Sequence, residues 1–336
     1  MRWRLNLNVW LVLGLATFLC ARDGLAAPAQ GIPLRYGQAY SAARSIFSLP
    51  ISVAQREGFF RREGLDFQLI IPIPGGSDKM IDALHDDTVD ITHVATAFLI
   101  RAALASSDAV AIAGEFNNPI YSLIAKPEIK SFADLKGQLL GLADEAGTIT
   151  ISTRKLLALH GLREGDFQVK IIEGTPARFN CLTKGECVAV PLGQPQDLLA
   201  IKDGYRLLGL STEAVPELLY TVTAVRRSWA NAHKDAIVRY IRALASAFKF
   251  IRDPVKRNAV VKTIVETTDS SEAIAQQTLA LYFEPERKVL PQHGELNLKG
   301  LAQVIAFMGE AGTVKAPLPP PERFVDRQYL QAAGIK

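Results

Sequence analysis

The stretch Pro50-Ile51-Ser52-Val53-Ala54-Gln55-Arg56-Glu57-Gly58, with Leu65-Asp66-Phe67-Gln68-Leu69-Ile70-Ile71-Pro72 shortly after it, decides the reading of this chain. Proline in a first helical turn gives up no needed N–H, and glycine just past the last turn tolerates the left-handed backbone that closes a helix. Pro50–Arg56 is therefore expected to be helical, and the apolar run Leu65–Pro72 a strand. Outward from this pair, Leu34–Gly37 reads as a strand. Ser77 opens a helix with Met80, Ile81 and Leu84 on one face. Asp90–Ala95, Thr96–Leu104 and Val110–Glu115 come next as strand, helix and strand. Alternation of this kind predicts a largely parallel sheet with helices on both faces.

A second run repeats the scheme. Tyr121–Ala125, Leu139–Ala143, Val169–Ile172, Val188–Leu192 and Tyr205–Leu210 read as strands. Between them lie a helix from Thr148–Thr150 to Gly161, one over Ala177–Thr183 closed by Gly185, and one over Pro195–Lys202. Ser131-Phe132-Ala133-Asp134 reads as a Ser-x-x-Asp cap before a short helix. After a strand at Leu219–Val225 the chain turns helical. Its longest predicted helix, Trp229 to Asp253, carries Ile237, Ile241, Leu244, Phe248 and Ile251 at 3/4 spacing, a core-facing stripe. Pro254, Pro285 and Pro291 punctuate the remaining helices, and the Pro319-Pro320-Pro321 run precedes a last helix over Glu322–Ala332. The polar turn in Ala83–Asp90 is echoed by that in Cys181–Ala189. Two similar α/β units suggest two lobes, and open α/β sheets take ligands beyond their strand carboxyl ends.

The chain has 336 residues, 49% of them hydrophobic and 21% charged, with a net charge of +4. That composition excludes a disordered chain, and without a Lys/Arg block of five there is no electrostatic footprint for nucleic acid. Arg2 and Arg4 precede an apolar stretch, Val9–Ala21, and then the small residues Ala26, Ala27 and Ala29. This is the pattern of a cleaved secretory signal over residues 1–27, with cleavage within 26–29; the apolar stretch is shorter than the roughly 20 residues of a spanning helix. Export leaves Cys181 and Cys187 as a close pair in an oxidising compartment, where a disulfide is expected.

Motifs of catalysis are absent: no Gly-x-Ser-x-Gly, no phosphate-binding loop, no His-Glu-x-x-His. The five histidines share no metal spacing, so no metal or cofactor is expected; His93, inside a strand, reads as a core histidine. Glu115 and Asp144-Glu145 end strands and are placed to line a cleft. Four turns put small polar residues at helix starts: Gly75-Gly76-Ser77, Ala95-Thr96, Gly147-Thr148-Ile149-Thr150 and Thr175-Pro176-Ala177-Arg178. Each is either a plain N-cap or a seat for an anion on free backbone N–H groups. Arg178 adds a planar fork suited to a carboxylate or sulfonate, or is a solvated surface arginine.

Ala54-x-x-x-Gly58-Phe59-Phe60-x-x-x-Gly64-Leu65-Asp66 resembles the nitrate/sulfonate/taurine-type substrate-binding proteins of ABC importers, a family that includes binders of thiamine-pyrimidine precursors. Ser131–Gly137, Gly147-Thr148, Leu182-x-x-Gly185-Glu186-x-x-Ala189 with Pro195, and Arg227-x-Trp229-Ala230 succeed it in the family's order. The likeness spans residues 34–333. It departs at Asp87-Thr88, where Gly-Glu is usual, and at Val188, where Asp is usual. The resemblance implies a two-lobed, type II periplasmic-binding fold with a helical C-terminal extension. Residues 32–117 and 219–336 would form one lobe and 118–218 the other, with crossovers near Phe116–Pro119 and Pro216–Leu219. The implied pocket holds Gln38, Tyr40, Ser41, Ser77, Thr96, Glu115 and Asn117, faced by Thr148, Thr150, Arg178 and Gln194. The implied function is capture of a small organic anion or heteroaromatic metabolite in the periplasm, by a monomer that closes on a hinge and docks on a permease and its ATPase. Two other readings are an exported sensor for a membrane receptor, and an enzyme of the related pyrimidine-synthesis branch. The latter branch relies on a cysteine-rich iron motif, and only Cys181 and Cys187 are available here.

Overall fold

The structure, a computed structural model, describes residues 31–73, 76–118, 120–145, 147–215, 217–282 and 288–335. The expected signal segment lies outside them, as do Gly75, Pro119, Pro216 and Pro285. The first half runs β1 (Ile32–Ala39), α1 (Tyr40–Ala43), α2 (Leu49–Arg56), α3 (Phe59–Arg62), β2 (Leu65–Ile73), α4 (Ser77–His85), β3 (Ile91–Ala95), α5 (Thr96–Leu104) and β4 (Ala109–Phe116). Gly58, between α2 and α3, sits at φ 70°, ψ 26°, the left-handed conformation expected of it. The chain then builds β5 (Ser122–Ala125), β6 (Leu139–Leu142), α6 (Thr148–Leu159), β7 (Gln168–Ile171), α7 (Thr175–Thr183), β8 (Ala189–Leu192), α8 (Gln196–Lys202), β9 (Arg206–Leu210) and α9 (Ser211–Ala214). It returns as β10 (Thr221–Arg226) and ends in α10 (Arg227–Ala232), α11 (Lys234–Arg252), α12 (Arg257–Thr268), α13 (Glu272–Tyr282), α14 (Leu298–Glu310) and α15 (Gln328–Ala332).

Two five-stranded sheets result, ordered β2-β1-β3-β10-β4 and β7-β6-β8-β5-β9. The orders are the same permutation, so the echo noted in the sequence is an architectural repeat. In each sheet one strand runs against the rest: β10 is antiparallel to β3 and β4, and β5 to β8 and β9. Both are the first strand laid down after the chain changes sheet. A strand entering from the other sheet arrives at the edge its neighbours leave from, so it pairs in the opposite sense. All eight residues of β4 are buried, as helices on both faces of a sheet require.

The main core joins the first sheet to the C-terminal helices. Ile237, Ile241, Leu244 and Phe248 of α11 are wholly buried, and the helix packs on α2 and α3. The second sheet has two smaller cores, one around Leu135, Leu140 and Leu157, the other around Val190 and Leu192 with Cys181 and Cys187. The expected disulfide closes between those cysteines, with Cα atoms 5.4 Å apart.

Three local expectations change. The long helix breaks at His233 (φ −124°, ψ 36°), whose Nδ1 lies 2.8 Å from the Trp229 carbonyl, giving α10 and α11. The last helix is interrupted because Val325 leaves it to bridge Ala111 beside β4. The Ser131 cap precedes only a 3₁₀ turn; Asp134 there accepts from the Lys130 and Ser131 N–H groups.

Candidate ligand-binding site

A cavity of about 140 Å³ is walled by elements of both sheets. From the first come the end of β1, the start of α4 and the end of β3; from the second, the β6–α6, β7–α7 and β8–α8 connections. Because β10 runs antiparallel, its first residue, Thr221, pairs with Ala95 and Phe116 at the strand ends and reaches the same rim. Alternating β–α connections thus put helix starts and strand ends around one space, as open α/β sheets do.

Four of the expected residues line this cavity: Ser77, Thr148, Arg178 and Gln194. Ser77 Oγ accepts from the Ala95 N–H at 3.0 Å, tying α4 to β3. Thr148 Oγ1 is buried without a hydrogen-bond partner among the described residues, and so is Thr221 Oγ1. Arg178 is buried, not a solvated surface group. It donates from Nε to the Pro191 carbonyl (2.8 Å), from Nη1 to the Ile172 carbonyl (3.1 Å) and from Nη2 to Thr175 Oγ1 (3.1 Å). A guanidinium carries five donors, so two N–H groups remain beyond these three bonds. Burial pulls its pKa down, yet arginine stays charged. Gln194 donates to Asp197 Oδ2 (2.6 Å) and accepts from the Tyr282 hydroxyl (3.3 Å).

The remaining expected residues lie behind or beside the wall. Thr96 Oγ1 donates to the Tyr220 carbonyl, and Thr150 Oγ1 to the Asp144 carbonyl, bracing the β6–α6 turn. Gln38 is wholly buried in β1 with neither amide atom hydrogen-bonded among the described residues, and the half-buried Asn117 has an unpaired amide oxygen. Tyr40 and Ser41 open α1, between the wall residues Ala39 and Ala42. Glu115 is fully buried behind the cavity. It accepts from His93 Nδ1 (2.6 Å), Thr223 Oγ1 (2.7 Å) and the Tyr36 hydroxyl (3.3 Å).

Several wall residues were not among those expected. His93 is one. Phe47, Tyr121 and Tyr220 form an aromatic corner, with Phe47 stacked 6.0 Å from Tyr121 and tilted against Tyr220 at 5.4 Å. The two tyrosine hydroxyls lie 3.2 Å apart, and burial raises both phenols. Asp144 and Glu173 bring negative charge to the same rim as Arg178. The strand-end rule does reach Asp144, as the sequence suggested; the tyrosines flank the two crossings between sheets, where no periodicity marks them. Among the described residues no three His, Cys, Asp or Glu side chains gather to hold a metal ion.

Two sheets of identical strand order, each with one reversed strand and a cavity between their ends, define the periplasmic-binding-protein fold. The chain belongs to the NMT1/THI5 like family, whose profile matches residues 47–256. It is 23% identical over 322 residues to the "Putative binding protein YtlA" of Bacillus subtilis (strain 168), covering 93% of this chain and 95% of that one. Among solved structures it is similar to the alkanesulfonate-binding protein SsuA from Xanthomonas axonopodis pv. citri bound to MOPS (17% identity, TM-score 0.71, 89% and 99% of the two chains). It is also similar to the nitrate-binding protein NrtA from Synechocystis PCC 6803 (13% identity, TM-score 0.75, 90% and 89%).

Proposed function

We propose that this chain is the exported solute receptor of an ABC-type importer. It captures a small organic anion or heteroaromatic metabolite (a sulfonate, an aromatic carboxylate or a pyrimidine-like ring) and makes or breaks no bond. Residues 32–117 with 219–336 act as one lobe and 118–218 as the other. A ligand touching both walls favours the closed arrangement, because only there are all its contacts made. The receptor works in the periplasm as a monomer, after loss of residues 1–27, and hands its solute to a permease served by an ATPase. The similarity to SsuA and NrtA supports the class of ligand and the compartment.

Two buried hydroxyls carry the reading. Thr148 Oγ1 from the second sheet and Thr221 Oγ1 from the first are unpaired among the described residues and stand on the wall of one cavity that also holds Arg178. A buried hydroxyl without a partner costs about 1–3 kcal/mol. Both are shut off from solvent in this arrangement, and a polar ligand toward which they turn as the walls close on it would recover that cost. A thermal-shift screen of the exported form against taurine, alkanesulfonates, nitrate, benzoate and aminopyrimidines tests it. A ligand at 100 times its Kd adds about 2.7 kcal/mol of stability. No shift with any of them, or consumption of a compound, would count against a receptor.

A further inference from the structure

We propose that His93 is a specificity-determining contact for the bound solute and that Glu115 is the positioning residue that aims it. The inference rests on the cavity being a solute site and names the polar group through which the first sheet would hold the solute.

Strand register brings the pair together. β10 lies between β3 and β4 and sets Thr223 opposite His93 on one side and Ala113 on the other. Glu115 therefore lies within reach of both Thr223 and His93. Its carboxyl is completely buried and accepts from the His93 ring, from Thr223 and from Tyr36 of β1. Thr223 is itself held 2.9 Å from the Tyr240 hydroxyl of α11. Side chains from three neighbouring strands and a helix thus fix one histidine ring.

Such a scaffold is more than packing requires. The bond from Nδ1–H to a carboxylate sets the ring's orientation and leaves Nε2 as its outward atom. Nε2 has no hydrogen-bond partner among the described residues and is not one of the sealed, unpaired atoms. The accessible side of the ring is the cavity wall. His93 is thus one ring nitrogen short of satisfied, in a wall whose other first-sheet polar groups are hydroxyls. The solute it fits has a polar head within hydrogen-bond reach of Nε2 and a flat or apolar body against Phe47, Tyr121 and Tyr220.

The test is calorimetric titration of the exported form with taurine, benzenesulfonate, benzoate and 4-aminopyrimidine, paired with ¹⁵N-histidine NMR. His93→Asn keeps an amide near the Nδ1 position but removes the atom facing the cavity; His93→Gln carries an amide to the Nε2 position. Whichever probe binds should bind His93→Asn about tenfold or more weakly, with partial recovery in His93→Gln, and should move the His93 Nε2 resonance of the wild type. Glu115→Gln should alter the His93 nitrogen shifts in the free protein and weaken probe binding, and the loss of affinity should disappear in the His93→Asn background, which a purely structural glutamate would not show. The double variant His93→Asn/Glu115→Gln should therefore bind no more weakly than His93→Asn alone, and its unfolding midpoint reports separately whether it folds. Binding of a probe within twofold in His93→Asn, with an unmoved Nε2 resonance, would overturn the inference and leave the receptor standing. Binding of none of the four would remove the receptor reading for these classes and the contact with it.

Discussion

Asn118 Oδ1 accepts the backbone N–H of Leu218 at 2.7 Å, so the two segments by which the chain passes between its sheets are fastened to each other. The first passage lies between β4 and β5 and the second between β9 and β10. With Leu218 buried, its N–H has no water to turn to if the amide is removed. Asn118→Ala is expected to lower stability by about 1–3 kcal/mol in urea denaturation. A change under about 0.5 kcal/mol would show that the fastening is incidental.

The second passage is also wedged by α14. Asn297 caps that helix, accepting from the Gly300 N–H at 3.0 Å, and a Cβ added at Gly300 would fall on the Leu218 carbonyl and the Leu219 nitrogen. Backbone cannot yield as a side-chain tip can. Gly300→Ala should therefore cost about 1–3 kcal/mol, the usual penalty of overpacking, although alanine is the better helix former. A stabilised Gly300→Ala protein would contradict this packing.

Arg178 holds three groups of the second sheet's layer together, so its removal should be felt before any ligand is added. Arg178→Lys cannot reproduce the fork and leaves buried carbonyls of Ile172 and Pro191 with fewer donors. A loss of about 2 kcal/mol or more in denaturant unfolding is expected. Full stability with weakened probe binding would mean the fork is held chiefly for the ligand.

Burial raises the Asp197 carboxyl above its ordinary 3.8, in spite of bonds from Ser122 Oγ, Gln194 Nε2 and the Leu198 N–H. The folded chain then keeps this proton to higher pH than the unfolded chain. Its contribution to stability is accordingly largest in acid and declines as pH rises from 3.8 through the raised value. Asp197→Asn, which does not titrate, should flatten that part of the profile of unfolding midpoint against pH. Parallel profiles for the two proteins would contradict the shift.

Much of this fold was legible because it rests on local pattern. The strand runs from Leu34 to Leu210 and the stripe of α11 reflect burial on one or both faces, which alternation and 3/4 spacing report directly. The Cys181–Cys187 bridge was legible for a similar reason, since its partners stand six residues apart around one turn. Strand order was not legible, since β10 inserts between β3 and β4 by a partner choice far along the chain. The site divides the same way. Ser77, Thr148 and Arg178 reach the cavity wall from helix starts after strands, which have a local signature. His93 and Glu115 are adjacent only through the register of β10, and Gln194 meets Tyr282 from 88 residues away, so nothing in their neighbours could pair them.

The most direct measurement is a titration of the exported form with the probe giving the largest thermal shift, with recovery of the compound afterwards. One molecule bound per chain, released chemically intact, and lost on mutation of Thr148 and Thr221 to valine, is the expected result. Undiminished binding in that double variant, or a recovered compound that has been converted, would contradict capture of an intact solute between the two walls.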